Sequence, residues 1–202
     1  SVNRSTRLTP KIAYTIEFYP EEGKYHYTGH RKCKVVYSPN EARKMGTICP
    51  VCGKSLTVGV MSRVEQLASQ EITNDKLQIT NDKFGVQWIQ DEKGKRPPYV
   101  MLVPLIEIIS EALGVGVGSQ HVATIYEQFI NTFGNEFDIL IKTHSKDLKK
   151  VATPKIIEGI EKVRSGDIVI EPGYDGIFGK VKIWKESEDT HKETPIDQGT
   201  LF

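Results

Sequence analysis

The spacing of apolar residues changes character along this chain, and each change marks an element. Over residues 12–19 the run Ile-Ala-Tyr-Thr-Ile-Glu-Phe-Tyr is dense in β-branched and aromatic residues and predicts a strand. Pro20-Glu21-Glu22-Gly23 supplies the turn residues that end it. Ser38-Pro39-Asn40-Glu41-Ala42-Arg43-Lys44 predicts a short helix, with Ser38 as cap and Pro39 in the first turn, where no amide donor is needed. A short strand is expected over residues 56–60. A helix is expected over 63–70, with Val64, Leu67 and Ala68 on one side. Beyond Pro98 the apolar step becomes three and four. Leu102, Leu105, Ile106, Ile109, Ala112 and Leu113 form one stripe, and Val122, Ile125, Tyr126, Phe129, Ile130 and Phe133 form another. The glycine-rich break at 114–118 separates them, Ser119 caps the second, and Gly134 stops it. Residues 137–141 are a shorter apolar segment. A third helix starts near Thr153-Pro154 and carries Ile156, Ile157, Ile160 and Val163 up to Gly166. Alternation over 167–171 and 180–184, around the loop Pro-Gly-Tyr-Asp-Gly-Ile-Phe-Gly, predicts a hairpin. The polar tail from Glu186 is expected to be disordered.

Ile72-Thr73-Asn74-Asp75-Lys76 recurs as Ile79-Thr80-Asn81-Asp82-Lys83, seven residues on. Two copies are too few for a solenoid. The Asn-Asp pairs favour turns, so the segment through Pro98 is expected to be an exposed insertion loop between two modules.

The 202 residues carry a net charge of +1, which hides an asymmetry. Residues 1–60 hold 10 Lys and Arg against 4 Asp and Glu, a net of +6. Such a region attracts a polyanion, or else is simply a solvated face. There is no secretory signal and no apolar run long enough to span a bilayer, so the expected setting is cytoplasmic, with no membrane partner. The glycines at 114–118 follow no strand and lack the lysine of a phosphate loop, which leaves a plain connection between helices.

All three cysteines fall in one stretch: His30-x2-Cys33, fifteen residues, then Cys49-x2-Cys52. Two close pairs joined by a loop are the layout of a tetrahedral zinc site, each pair turning back on the metal through a knuckle. The fourth ligand is His30 by spacing, with His26 as a second candidate. Four protein ligands leave no position for a reacting water, so the zinc is expected to be structural. The fold expected is α+β. Strand plus zinc-ribbon-like module covers 1–70, insertion or linker 71–98, helical domain with C-terminal hairpin 99–185, and polar tail 186–202.

The runs Thr-Ile-Glu-Phe-Tyr-Pro-Glu-Glu-Gly-Lys-Tyr-His-Tyr-Thr-Gly-His-Arg-Lys-Cys (15–33) and Cys-Pro-Val-Cys-Gly-Lys-Ser-Leu-Thr-Val-Gly-Val-Met-Ser-Arg-Val-Glu-Gln-Leu-Ala (49–68) resemble the C-terminal half of endonuclease Q-type proteins of the PHP phosphoesterase superfamily. Pro-Leu-Ile-Glu-Ile-Ile (104–109), Phe-Gly-Asn-Glu-Phe (133–137) and Pro-Gly-Tyr-Asp-Gly (172–176) extend the likeness across nearly all of about residues 12–184, apart from the repeat insertion. Bacterial proteins of this kind often carry a UvrD-like helicase label, but no complete Walker-type loop supports helicase activity here. The resemblance implies DNA repair, by nicking beside a deaminated base or an abasic site. It implies zinc on His30, Cys33, Cys49 and Cys52. It also implies an N-terminal PHP domain as partner, because the His-x-His and Asp-x-His ligand motifs of that catalytic half are absent here. No catalytic residue is therefore assigned, and the chain is not expected to cut DNA alone. DNA phosphates are expected at Arg31, Lys32, Lys34, Arg43, Lys44 and Lys54. A base-reading enzyme extrudes its target into a pocket, and Lys24, Tyr25, His26, Tyr174 and Asp175 are placed near it.

Two other readings stand beside this one. A zinc-ribbon and helical adaptor would bind protein partners only. An autonomous hydrolase would use Glu17, Glu21, Glu22 and His26, although these carboxylates follow a strand at irregular spacing.

Overall fold

The computed structural model describes residues 11–68 and 77–185. The first copy of the repeat, the end of the helix expected over 63–70, the first ten residues and the polar tail lie outside them. Strand β1 (Thr15–Glu17) is shorter than expected, because the chain turns at once into a 3-10 turn at Pro20–Glu22. A hairpin of β2 (Thr28–His30) and β3 (Val35–Tyr37) follows, then α1 (Pro39–Met45) and α2 (Val60–Leu67). Ser38 caps α1 in a reciprocal box, its hydroxyl accepting from the Glu41 amide while the Glu41 carboxylate accepts from the Ser38 amide at 2.8 Å.

Residues 56–60 do not form the expected strand. Ser55 and Thr57 make single bridges to Ile48 and Gly29, and Val60 already begins α2. The cause lies across the fold: the Gly59 amide donates to the Thr28 hydroxyl at 3.0 Å, and the Val60 amide to the Tyr25 carbonyl at 2.8 Å.

The expectation of an exposed loop over 71–98 fails at its centre. Strands β4 (Leu77–Asn81), β5 (Gln87–Asp91) and β6 (Tyr99–Met101) join β1 in one sheet, in the order β1-β6-β5-β4, with β1 parallel to β6. Asp82 does favour a turn, but the turn is a hairpin tip. Its carboxylate accepts from the amides of Phe84 and Val86 at 2.8 and 3.0 Å, and from the Trp88 indole at 3.0 Å.

The helices follow the apolar stripes closely. They are α3 (Leu105–Leu113), α4 (Gln120–Phe133), α5 (Ser145–Leu148) and α6 (Pro154–Ser165), with a π-helical turn at Asp138–Lys142. Leu105, Ile108, Ile109, Val122, Phe129, Ile156 and Ile160 are fully enclosed, and Val100, Leu102 and Val103 bring the sheet into the same core. Gly159 lets the elements approach: a Cβ there would lie 2.9 Å from both Ile108 and the Trp184 ring. Arg164 is buried and donates to the carbonyls of Leu140, Ile139, Thr143 and Phe84. It thereby ties α6 to the π turn and to the β4–β5 tip. The final hairpin, β7 (Val169–Glu171) with β8 (Lys180–Lys182), is anchored by Glu111, which accepts from the Ile183 and Trp184 amides at 2.8 and 3.1 Å. Among the described residues no helix is long and apolar enough to cross a membrane.

Candidate metal centre

The β2–β3 hairpin delivers the first pair of ligands. His30 ends β2 in extended conformation, and a 3-10 turn at Arg31–Cys33, closed by Lys34 at φ 54°, folds Cys33 back beside it. The second knuckle is Cys49-Pro50-Val51-Cys52-Gly53. The Gly53 amide donates to the Cys49 carbonyl at 2.9 Å, the Cys49 amide to the Lys54 carbonyl at 2.8 Å, and Gly53 takes φ +69° to make the turn. Gly53-Lys54-Ser55, the ending of a Walker-type sequence, is part of this knuckle and opens no helix.

The ligand atoms of His30, Cys33, Cys49 and Cys52 lie within 4.8 Å of one another, and Cys52 Sγ is 3.4 Å from His30 Nδ1. A tetrahedron of thiolates and one imidazole around zinc has ligand-to-ligand edges of about 3.5–3.8 Å, so the cluster needs only a small contraction to hold an ion. Its electrostatics fit too. Burial, then the neighbouring Cys52 and Cys49, pushes the Cys33 thiol up to about 11. Burial also acts to raise Cys49, but hydrogen bonds from His30 and from the Cys52 and Val51 amides bring it down to about 6. Crowded thiols cannot all ionise without a counter-charge, and a divalent cation supplies one. His26 stands apart as a buried ring tilted against Tyr27 at 5.0 Å, so the cluster takes His30. Among the described residues, Glu17, Glu21, Glu22 and His26 do not gather into a metal-holding group.

Arg31, Lys32, Lys34, Lys44 and Lys54 are all exposed around the knuckles. Arg43 is exposed as well, but its guanidinium is paired with Glu65 of α2. The loop over 172–179 seats against the segment leading into β2. The Tyr27 amide donates to the Gly173 carbonyl and the Gly176 amide to the Lys24 carbonyl, both at 2.9 Å. Tyr174 lies on Gly29, where a Cβ would come 2.5 Å from its ring. Asp175, at φ +44°, accepts from the Arg31 amide at 2.7 Å and from the Thr57 hydroxyl at 2.5 Å. Thr57, then the Arg31 amide, holds its carboxyl below the usual range. Lys24, Tyr25, Tyr174 and Asp175 therefore share one neighbourhood, with His26 enclosed beneath it. Sequence reasoning did not find Thr57, which carries no motif, or Phe178, whose only signal was its place in a glycine-flanked loop.

Fold and site together define an α+β protein with a Cys3His cluster able to hold a metal ion, seated beside a helical core. Residues 104–167 match the family described as the MJ0043 C-terminal domain. The chain is 35% identical over 183 residues to the uncharacterised protein MJ0043 of Methanocaldococcus jannaschii, covering 91% of this chain and 21% of that protein. It is 29% identical over 173 residues to YqxK of Bacillus subtilis, covering 85% of this chain and 36% of that one. Among solved structures it is similar to the lesion-specific endonuclease PfuEndoQ from Pyrococcus furiosus, with a TM-score of 0.66, 30% identity, and 91% of this chain against 41% of that one. It is similar also to endonuclease Q in complex with a 27-mer duplex bearing an abasic lesion at the active site, at TM-score 0.62, 30% identity and the same coverage. The chain thus spans between about a fifth and two-fifths of the length of these relatives.

Proposed function

We propose that this chain is the zinc-bearing, DNA-engaging part of a repair endonuclease that acts beside deaminated bases or abasic sites. The carrying observation is the likeness to endonuclease Q at 30% identity over 91% of the chain, one such structure holding a lesion-containing duplex. Zinc is the ion that a Cys3His set suits best. It would crosslink the two knuckles as a zinc ribbon and hold the basic residues at fixed spacing. The catalytic metal ligands belong to a PHP domain, the partner in this reading. Lys24, Tyr25 and Tyr174 border the pocket for an extruded base, while His26 and Asp175 hold its walls.

The test is anisotropy titration of the chain with abasic, uracil-containing, hypoxanthine-containing and undamaged duplexes at two salt concentrations. Affinity is expected to fall by roughly one power of salt concentration per phosphate neutralised. Changing Lys44 and Lys54 to glutamate is expected to weaken binding to all of them alike, since phosphate contacts position without specifying. No nicking is expected with magnesium or manganese. A chain that fails to bind duplex at low salt sinks the reading.

That result would favour the adaptor alternative, which has its own support. Met45, Ile48, Val51, Val58, Val60 and Leu67, all in the metal module, are each more than half exposed, at 52–70%, a surface suited to a protein partner.

A further inference from the structure

We propose that Tyr25 and Phe178, with the Lys24 ammonium in reach of both rings, form a stacking platform for unpaired bases of single-stranded DNA. The inference rests on the reading that this chain engages DNA, and adds a surface that adjoins the basic zinc knuckles at Arg31. Phe178 is 67% exposed and Tyr25 44% exposed. Lys24 Nζ lies 5.6 Å from the centroid of each ring. A single exposed aromatic needs no explanation. Two rings sharing one ammonium, on a backbone that cannot yield, are a different matter.

The backbone is held by three main-chain bonds, from Gly173 to Glu21 at 2.8 Å, from Gly176 to Lys24 at 2.9 Å, and from Gly179 to Glu22 at 3.0 Å. The contact is so close that a Cβ on Gly179 would stand 2.1 Å from the Glu21 carbonyl oxygen, and one on Gly173 2.5 Å from that of Gly23. This seam fixes the backbone on either side of Phe178, whose ring stands out in water. The Arg31 guanidinium lies on the same side, 3.5 Å from where a Cβ on Gly176 would be. The nearby carboxylate of Asp175 is occupied by the Arg31 amide and Thr57.

Flat apolar faces interleaved with cations match a strand whose bases are free to stack and whose phosphates need neutralising. Every base has such a face, so the surface would be tolerant of sequence. In a duplex those faces are already covered by neighbouring bases, so the platform selects unpaired nucleotides.

The experiment compares labelled oligo(dT) with a fully paired duplex, using the whole chain and circular dichroism melting as a control of fold. Phe178→Ala and Tyr25→Ala are each expected to weaken oligo(dT) binding by about 5- to 150-fold, the range of one stacked base. For Phe178→Ala, affinity for the fully paired duplex is expected to stay within about twofold, the low end of that stacking range being unreached there. Phe178→Leu, which keeps the bulk but not the π face, is expected to behave like alanine. Phe178→Trp is expected to retain affinity, with its added indole emission quenched by oligo(dT) and not by duplex. If the wild type binds duplex but the alanine variants bind oligo(dT) unchanged, or the added indole is not quenched, the platform is overturned and the DNA-engaging reading survives. Equal losses on both nucleic acids overturn the preference for unpaired bases. A wild type that binds neither overturns the platform and the reading beneath it.

Discussion

Replacing Arg164 with methionine probes how the helices, the π turn and the sheet are held together. Arg164 is 1% exposed, and its guanidinium donates to Leu140 at 2.9 Å, Ile139 at 2.7 Å, Thr143 at 2.6 Å and Phe84 at 3.1 Å. Burial pulls its pKa below the ordinary value, against the opposing pull of Asp82 and Glu161, but a guanidinium remains protonated. Methionine would fill much of the volume and donate nothing. The Leu140 and Ile139 bonds are buried, whereas those to Thr143 and Phe84 lie nearer the surface, where water can replace them. Two buried acceptors left without partners cost about 1–3 kcal/mol each, and relief from burying a cation offsets part of this. The expected net loss is about 2–5 kcal/mol. At about 2–4 °C per kcal/mol for a chain of this size, the midpoint of thermal unfolding should fall by roughly 5–15 °C. Arg164→Lys should fall between, because a compact ammonium cannot reach all four carbonyls at once. A methionine variant that melts within about 1 °C of the wild type would refute the reasoning, since even one orphaned carbonyl should cost more.

Purified chain should carry about one equivalent of zinc by metal analysis, and Cys49→Ser should lose it together with the order of the metal module while the helical circular dichroism persists; a metal-free, fully ordered module would contradict this. Glu107 is pushed up by burial and then by Glu22, Glu111 and Glu136, so between the unfolded and folded values its folded form binds the proton more than the unfolded form does. Its contribution is most favourable below the unfolded value near ~4.3 and is lost as pH rises through the raised folded value. Glu107→Gln should therefore flatten the stability-against-pH curve between the unfolded and the raised folded value, as urea titrations at several pH values would reveal.

The three main helices were legible because their apolar steps end at glycines, two of them in left-handed caps, Gly114 at φ 67° and Gly166 at φ 70°. The metal cluster was legible because ligand spacing within a knuckle is local. The β4–β5 hairpin was not. Asn81-Asp82 announces a turn, but what fixes the strands is the Asp82 carboxylate reaching the Trp88 indole across the tip. Arg164 carries no motif in the sequence, and its burial follows from carbonyls that come from two other elements. The docking of the 172–179 loop rests on main-chain bonds, which leave no side-chain signature beyond the glycines that permit them.

Because β1 ends at Glu17 and β4 begins at Leu77 in the same sheet, the polypeptide between them departs from the sheet and comes back to it. The metal-bearing segment is an excursion closed at its base. If stripping the ion melted it, the freed stretch would remain a tethered loop, and loop entropy grows only logarithmically with length. The helical core would feel the loss weakly. Trimming the chain is another matter. The stretch over 104–167 contains helices α3 to α6 and none of the strands, and lacks Val100, Leu102, Val103 and Ile183, which close the core. A polypeptide cut to those bounds would present bare apolar flanks, and one begun at Tyr99 would present a strand with both edges unpaired, an invitation to association. The unit that can stand alone in water is therefore longer than the unit that a sequence profile outlines.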